Sequence, residues 1–223
     1  MILTGKRVLF QGDSITDGNR YKDVGSRWDK NHQIGHSYAY ILAGVLGLAY
    51  AGEHVEFVNR GVSGDGVSRL AARWQADTLE EKPDLLSILV GINDTHSFRD
   101  PDPAVPEMYG STLRDLLTQA RAANPALQIV IMEPFCEPTG EESALRRKML
   151  PPIQAAAKKL AEEFGATFIP LQQLFDELCR TREMTYWTWD GVHPTEAGHA
   201  VIAREWIRTV LGEEGASLCE WMA

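Results

Sequence analysis

Residues 7–16 read RVLFQGDSIT: an apolar run centred on Val8, Leu9 and Phe10, followed at once by Gly12-Asp13-Ser14. A short, continuously apolar run suits a strand buried on both faces, the habit of a parallel sheet covered by helices. Four further runs share the pattern: VEFVN at 55–59, LLSILV at 85–90, QIVIM at 128–132 and TFIP at 167–170. Between them lie helical periodicities at 37–50, 67–79, 108–123, 152–164 and 195–211. In the last of these, Ile202, Trp206 and Val210 form an apolar stripe. Strands alternating with helices predict right-handed βαβ units, hence an α/β fold, a three-layer α/β/α sandwich around a five-stranded parallel sheet. The 223 residues contain no internal repeat or dividing linker, so one domain over 1–223 is expected. The Pro-rich stretch DPDPAVP at 100–106 reads as a long loop.

Charge narrows the partners. Lys and Arg number 22 against 31 Asp and Glu, a formal net charge of −9. Such a surface has no cation excess with which to release counterions, which argues against nucleic acid and anionic membranes and for a small neutral substrate. The stretch Met1–Arg7 has no basic region ahead of a long apolar one, and no apolar run approaches the ~18 residues of a membrane span. Cys136, Cys179 and Cys219 form no CxxC pair and are expected to be reduced thiols, so the compartment expected is the cytoplasm. His32, His36, His54 and His96 show no spacing such as HExxH, and no phosphate-binding glycine loop follows the first strand. Neither a metal nor another cofactor is expected.

In parallel α/β sheets ligands bind beyond the carboxyl ends of the strands. There the chain carries Gly12-Asp13-Ser14, then Gly61-Val62-Ser63-Gly64, then Gly91-Ile92-Asn93-Asp94, and before the last helix Asp190-Gly191-Val192-His193. A serine hydroxyl becomes a nucleophile when a base takes its proton, and a carboxylate that fixes the tautomer of the base completes the device. Asp190 and His193, three residues apart, can be presented together by one turn, with Ser14 as nucleophile. Acyl transfer also needs donors for the oxyanion: Gly64, without a Cβ, can bring its N–H close, and Asn93 carries an amide. Each piece has a plainer reading, since Asp-Ser after a strand is often a helix cap and Asp-x-x-His-Pro often a turn.

The four blocks together, GDS at 12–14, Gly64, GIND at 91–94 and DGVH at 190–193, resemble the SGNH/GDSL hydrolase family over nearly the whole chain. That resemblance implies a flavodoxin-like sandwich and a serine esterase. Its catalytic residues would be Ser14, His193 and Asp190, and its oxyanion hole the Ser14 and Gly64 N–H groups with the Asn93 side chain. FQGDSITD at 10–17, NRGVSG at 59–64, ARW at 72–74, KPD at 82–84 and MEPF at 132–135 are similar to the bacterial intracellular acetylxylan and carbohydrate acetylesterases of that family. WD at 189–190 with HP at 193–194 and AGH at 197–199 extends the likeness. Asp65, Gly191 and the Pro151-Pro152 pair depart from the common pattern.

An acetylated carbohydrate is therefore the expected substrate, with Trp189, Trp187 and Asp13 as candidate contacts. The alternatives are a lysophospholipase- or thioesterase-like hydrolase of longer acyl chains and a non-catalytic carbohydrate-binding module. Asp13 and Asp94 also read as loop organisers, one of the two tryptophans as core, His199 as structural, His96 as either a pocket edge or an exposed loop residue, and Trp28 as an aromatic near a polar loop. Glu133, lacking a paired carboxylate, is not expected to be catalytic. The apolar Leu218, Trp221 and Met222 near the C-terminus suggest a homo-oligomer, or a tail folded back on its own chain.

Overall fold

The computed structural model describes residues 3–23, 30–95, 102 and 104–220. Five strands, β1 (Arg7–Gly12), β2 (Glu56–Asn59), β3 (Leu85–Leu89), β4 (Gln128–Met132) and β5 (Thr167–Ile169), form one sheet in the order β2-β1-β3-β4-β5. All neighbours are parallel; Leu9 stands beside Val58 on one side and Leu86 on the other. Every residue of the central β3 is buried, which is why its sequence does not alternate.

The helices are α1 (Ser14–Asp17), α2 (Lys30–Ile34), α3 (Tyr38–Ala49), α4 (Val67–Ala72), α5 (Ala104–Ala123), α6 (Glu141–Met149), α7 (Pro151–Phe164), α8 (Leu171–Thr181), α9 (Glu196–Leu211) and α10 (Glu213–Leu218). The step from β1 to β2 runs one way across the sheet, while those from β2 to β3, β4 and β5 run the other. Because each crossover is right-handed, that reversal sends α3 to one face and α4, α5 and α7 to the opposite face. α9 returns to pack on α3, and α5 packs between α4 and α7. Trp206 of α9 is fully buried, and its indole N–H donates to Ser87 Oγ in the middle of β3 at 3.0 Å. Phe10 lies edge-on to both Tyr38 and Trp206, joining β1 to the same layer.

Several boundaries differ from the expectation. α5 begins at Ala104, inside the stretch expected as loop, where Asp102 accepts the Ala104 N–H at 2.9 Å. The periodicity at 67–79 divides into α4 and a π-helical turn over Gln75–Leu79. Pro151 and Pro152 end α6 and occupy the first positions of α7, where a missing N–H costs nothing. The tail forms α10 and docks on α9, with the Cys219 side chain buried and Tyr50 donating to Glu214 at 2.5 Å. Cys136, Cys179 and Cys219 are all free thiols. Among the described residues no helix is long and apolar enough to cross a membrane. Trp28, His96, Trp221 and Met222 lie outside the described residues.

Candidate active site

β1 and β3 are adjacent, and the connections leaving their carboxyl ends diverge, which opens a crevice at that rim. Ser14 stands there as the first residue of α1. Asp13 caps this helix, its Oδ1 accepting the Ile15 N–H at 2.9 Å. Expected as a substrate contact, Asp13 is instead wholly enclosed, and its other oxygen, Oδ2, has no partner among the described residues. Burial pushes its carboxyl up to about 7; the Ile15 N–H opposes the rise, and Asp94 and Asp65 nearby add to it. Asp13 therefore organises the turn beneath Ser14 and does not face the crevice.

His193, 179 residues further along, reaches the same point: its Nε2 lies 2.8 Å from Ser14 Oγ. Its Nδ1 lies 2.6 Å from Asp190 Oδ2. An ionised carboxylate can only accept, so Nδ1 carries the ring proton and Nε2 is left to accept the serine hydroxyl proton. Burial alone would raise the Asp190 carboxyl. The His193 backbone N–H, its ring and the Val192 N–H outweigh that and hold it below the ordinary carboxylate range. Both turn amides bond Asp190 Oδ1, at 2.9 and 2.7 Å, so Asp190 and His193 form one rigid unit. Gly191 in this turn has φ +89°, and a Cβ there would run into the Glu137 carbonyl. The departure at Gly191 thus has a cause in the packing of the loop after β4.

The candidate oxyanion donors come from two neighbouring loops. Gly64 sits at φ +84° at the tip of the loop after β2. That loop is held on three sides: Gly61 N–H donates to Asn59 Oδ1, Val62 N–H to the Gly12 carbonyl, and Ser63 N–H to Asp17 Oδ2. Asn93, in a 3₁₀ turn after β3, donates one amide hydrogen to the Asp65 carbonyl at 3.1 Å, which leaves the second amide N–H to point elsewhere. Beneath both loops Arg73 spans Asp65 Oδ2 at 2.6 Å, Gln11 Oε1 at 2.8 Å and the Gly12 carbonyl at 3.1 Å. The Ser14 and Gly64 N–H groups have no protein acceptor among the described residues. Asp94 accepts the Val67 N–H and so caps α4, a loop-organising role; burial raises its acid to about 6.

A cleft of about 370 Å³ opens beside His193, lined by residues that include Asn93, Thr139, Ser143, Arg146 and Asp190. Thr139, Ser143 and Arg146 are absent from the sequence-derived candidates, although the Thr-Gly-Glu-Glu run at 139–142 is a helix-start signal. Trp189 is 64 % exposed and stacks on the His193 ring, centroids 5.0 Å apart and planes 13° from parallel. Trp187 packs against the core and edge-on to Tyr186, and neither tryptophan is among the residues that line this cleft. His199 accepts the Tyr38 N–H on Nδ1, and burial, with His36 and His193 near, lowers it to about 4, a neutral structural ring. Glu133 accepts the Gln172 N–H at the start of α8.

The family model of GDSL-like lipases and acylhydrolases matches residues 10–201. The chain belongs to that family. This GDSL-like hydrolase is 33 % identical to the acetylxylan esterase of Geobacillus stearothermophilus over 213 residues, covering 93 % of this chain and 94 % of that one. The crystal structure of that organism's acetylxylan esterase Axe2 matches with a TM-score of 0.82 at 33 % identity, covering 96 % and 98 % of the two chains. LAE5, an α/β hydrolase from the metagenome of Lake Arreo, Spain, matches with a TM-score of 0.81 at 29 % identity, covering 93 % and 96 %. The protein is a carboxylic ester hydrolase.

Proposed function

We propose that this GDSL-like hydrolase is a serine esterase that removes acetyl groups from xylo-oligosaccharides or related sugars. The observation that carries the chemistry is the continuous chain Ser14 Oγ, His193 Nε2, His193 Nδ1, Asp190 Oδ2, at 2.8 and 2.6 Å. His193 Nε2 takes the hydroxyl proton as Ser14 Oγ bonds to the ester carbonyl carbon. The Ser14 and Gly64 N–H groups and the Asn93 amide receive the oxyanion. The C–O bond to the sugar then breaks, and the sugar oxygen leaves with the proton from His193. A water deprotonated by the same Nε2 attacks acetyl-Ser14, releasing acetate and returning the proton to the serine.

The substrate reading draws support from the likeness to the Geobacillus acetylxylan esterase and from the exposed Trp189 face, a surface on which a sugar ring can stack. The free thiols favour a reducing compartment, the cytoplasm, and the acidic surface a neutral ligand. One domain and a homo-oligomer complete the proposal; Tyr40 and Leu48, exposed on α3 beside Leu218, offer the contact between copies.

The deciding experiment compares acetyl with octanoyl esters, and acetylated xylo-oligosaccharides with p-nitrophenyl acetate, in the wild type and in Trp189→Ala. Acetyl preference is expected, with the variant losing more on sugar acetates than on the aryl ester because remote binding places the carbonyl. Preference for octanoyl esters, or cleavage of lysophospholipids with sugar acetates untouched, would replace the sugar reading with that of a long-chain acyl hydrolase.

A further inference from the structure

The turn that carries Asp190 and His193 does not stand alone. The loop after β4 grips it at two points: Glu137 N–H donates to the Gly191 carbonyl at 2.7 Å, and Thr139 Oγ1 donates to the Asp190 carbonyl at 2.8 Å. The absence of a Cβ at Gly191 lets the Glu137 carbonyl press against the same residue. The Glu137 side chain faces the other way, into the protein. Its residue is only 7 % exposed, and Oε1 accepts from Gln172 Nε2 at 2.7 Å and from Arg147 Nη1 at 3.0 Å.

Those two partners are themselves fixed. Arg147 of α6 also donates to the Cys136 carbonyl at 2.8 Å and forks onto both oxygens of Asp176 in α8 at 2.8 and 2.9 Å. Gln172 accepts the Cys136 N–H on its Oε1 at 3.0 Å. Two helices therefore hold one buried carboxylate, and the backbone of that same residue holds the acid–base turn. A carboxylate this enclosed needs such partners, because leaving it unmatched costs more than the bonds contribute.

We propose that Glu137 is a positioning residue for ester hydrolysis: locked by Gln172 and Arg147, it sets through Gly191 where Asp190 and His193 stand relative to Ser14. The proposal rests on the assignment of Asp190 and His193 as acid and base. Glu137 touches no reacting atom. Its effect belongs in the chemical step, since the Ser14–His193 contact must hold to within a fraction of an ångström for the proton to pass between them. Glu137→Gln keeps an oxygen for Gln172 and Arg147, so it retains the lock; Glu137→Ala removes it. Thr139→Val releases the second grip at an exposed residue, where folding is not at stake.

The test measures kcat and KM on p-nitrophenyl acetate for the three variants, with thermal unfolding and the proton resonance of the Nδ1–H shared between His193 and Asp190. Glu137→Ala is expected to lower kcat by up to ~10²-fold with KM little changed and the shared-proton resonance shifted or lost. Glu137→Gln recovers most of kcat and the resonance, and Thr139→Val shows a smaller loss of the same kind. A folded Glu137→Ala with wild-type kcat and resonance overturns the proposal, as does a loss confined to KM. If Glu137→Ala does not fold, Thr139→Val decides in its place by the same two readouts. His193→Ala runs beside them: full activity there removes the acid–base assignment itself, whatever Glu137 does.

Discussion

Asn93 spends one of its two amide hydrogens on the Asp65 carbonyl, and that bond aims the other. A donor held ready in this way strengthens only as negative charge develops on the carbonyl oxygen. Asn93→Ala is therefore expected to lower kcat by ~10²–10³-fold with KM nearly unchanged, measured by steady-state kinetics on a short acyl ester. An effect on KM alone would make Asn93 a binding residue. Asp13 offers a test of a different kind. Its folded acid lies at about 7, above the ordinary carboxylate value, so the native state binds a proton that the unfolded chain has given up. The contribution of that group is fully present below the ordinary value and is lost as pH rises through about 7. The slope is at most roughly 1.4 kcal/mol per pH unit for one proton. Asp13→Asn should flatten the fall in denaturant midpoint between about pH 4 and about pH 7. Some slope should persist, because Asp94 is raised in the same sense, to about 6. An identical slope in the two proteins would show that Asp13 is ionised in the native state.

Among the elements, α9 makes a buried polar contact inside an apolar layer, that of Trp206 with Ser87. Trp206→Phe leaves the Ser87 hydroxyl buried without this donor and opens space beside Phe10, at an expected cost of about 2–4 kcal/mol in urea unfolding. A loss well under 1 kcal/mol would mean that the layer closes over the gap. The strands were legible because burial on both faces makes β1, β3 and β4 continuously apolar. α6 was not: EESALRRKM offers only Ala144, Leu145 and Met149 as apolar positions, too few to trace a stripe. α8 carries its own signal, Leu171, Leu174, Phe175 and Leu178 at i, i+3, i+4 and i+7, although it lies outside the helical periodicities read from the chain. The gathering of Ser14, Gly64, Asn93, Asp190 and His193 at one rim of the sheet was legible because each follows a strand or precedes α9 in a polar, glycine-bearing block. The burial of Asp13 and the grip of Glu137 on Gly191 were not, since they arise only when distant segments meet.

At the scale of the whole molecule, a net charge of −9 opposes indiscriminate contact between copies, so association needs a defined apolar face. With α10 docked on α9 of its own chain, the exposed candidates are Tyr40 and Leu48 on α3, the latter 80 % exposed. Multi-angle light scattering at micromolar concentration is expected to find a symmetric oligomer in the wild type and smaller species in a Tyr40→Glu, Leu48→Glu variant. A wild-type monomer would dispose of the association. The order of parts along the chain has a further consequence. Ser14 is made 179 residues before His193, the proposed base, which stands on the turn before α9. Over that stretch of synthesis the proposed nucleophile has no base beside it. On the proposed assignment the pair meets only once the turn before α9 has reached the rim of the sheet, after the loops that follow β1, β2, β3 and β4 have been made.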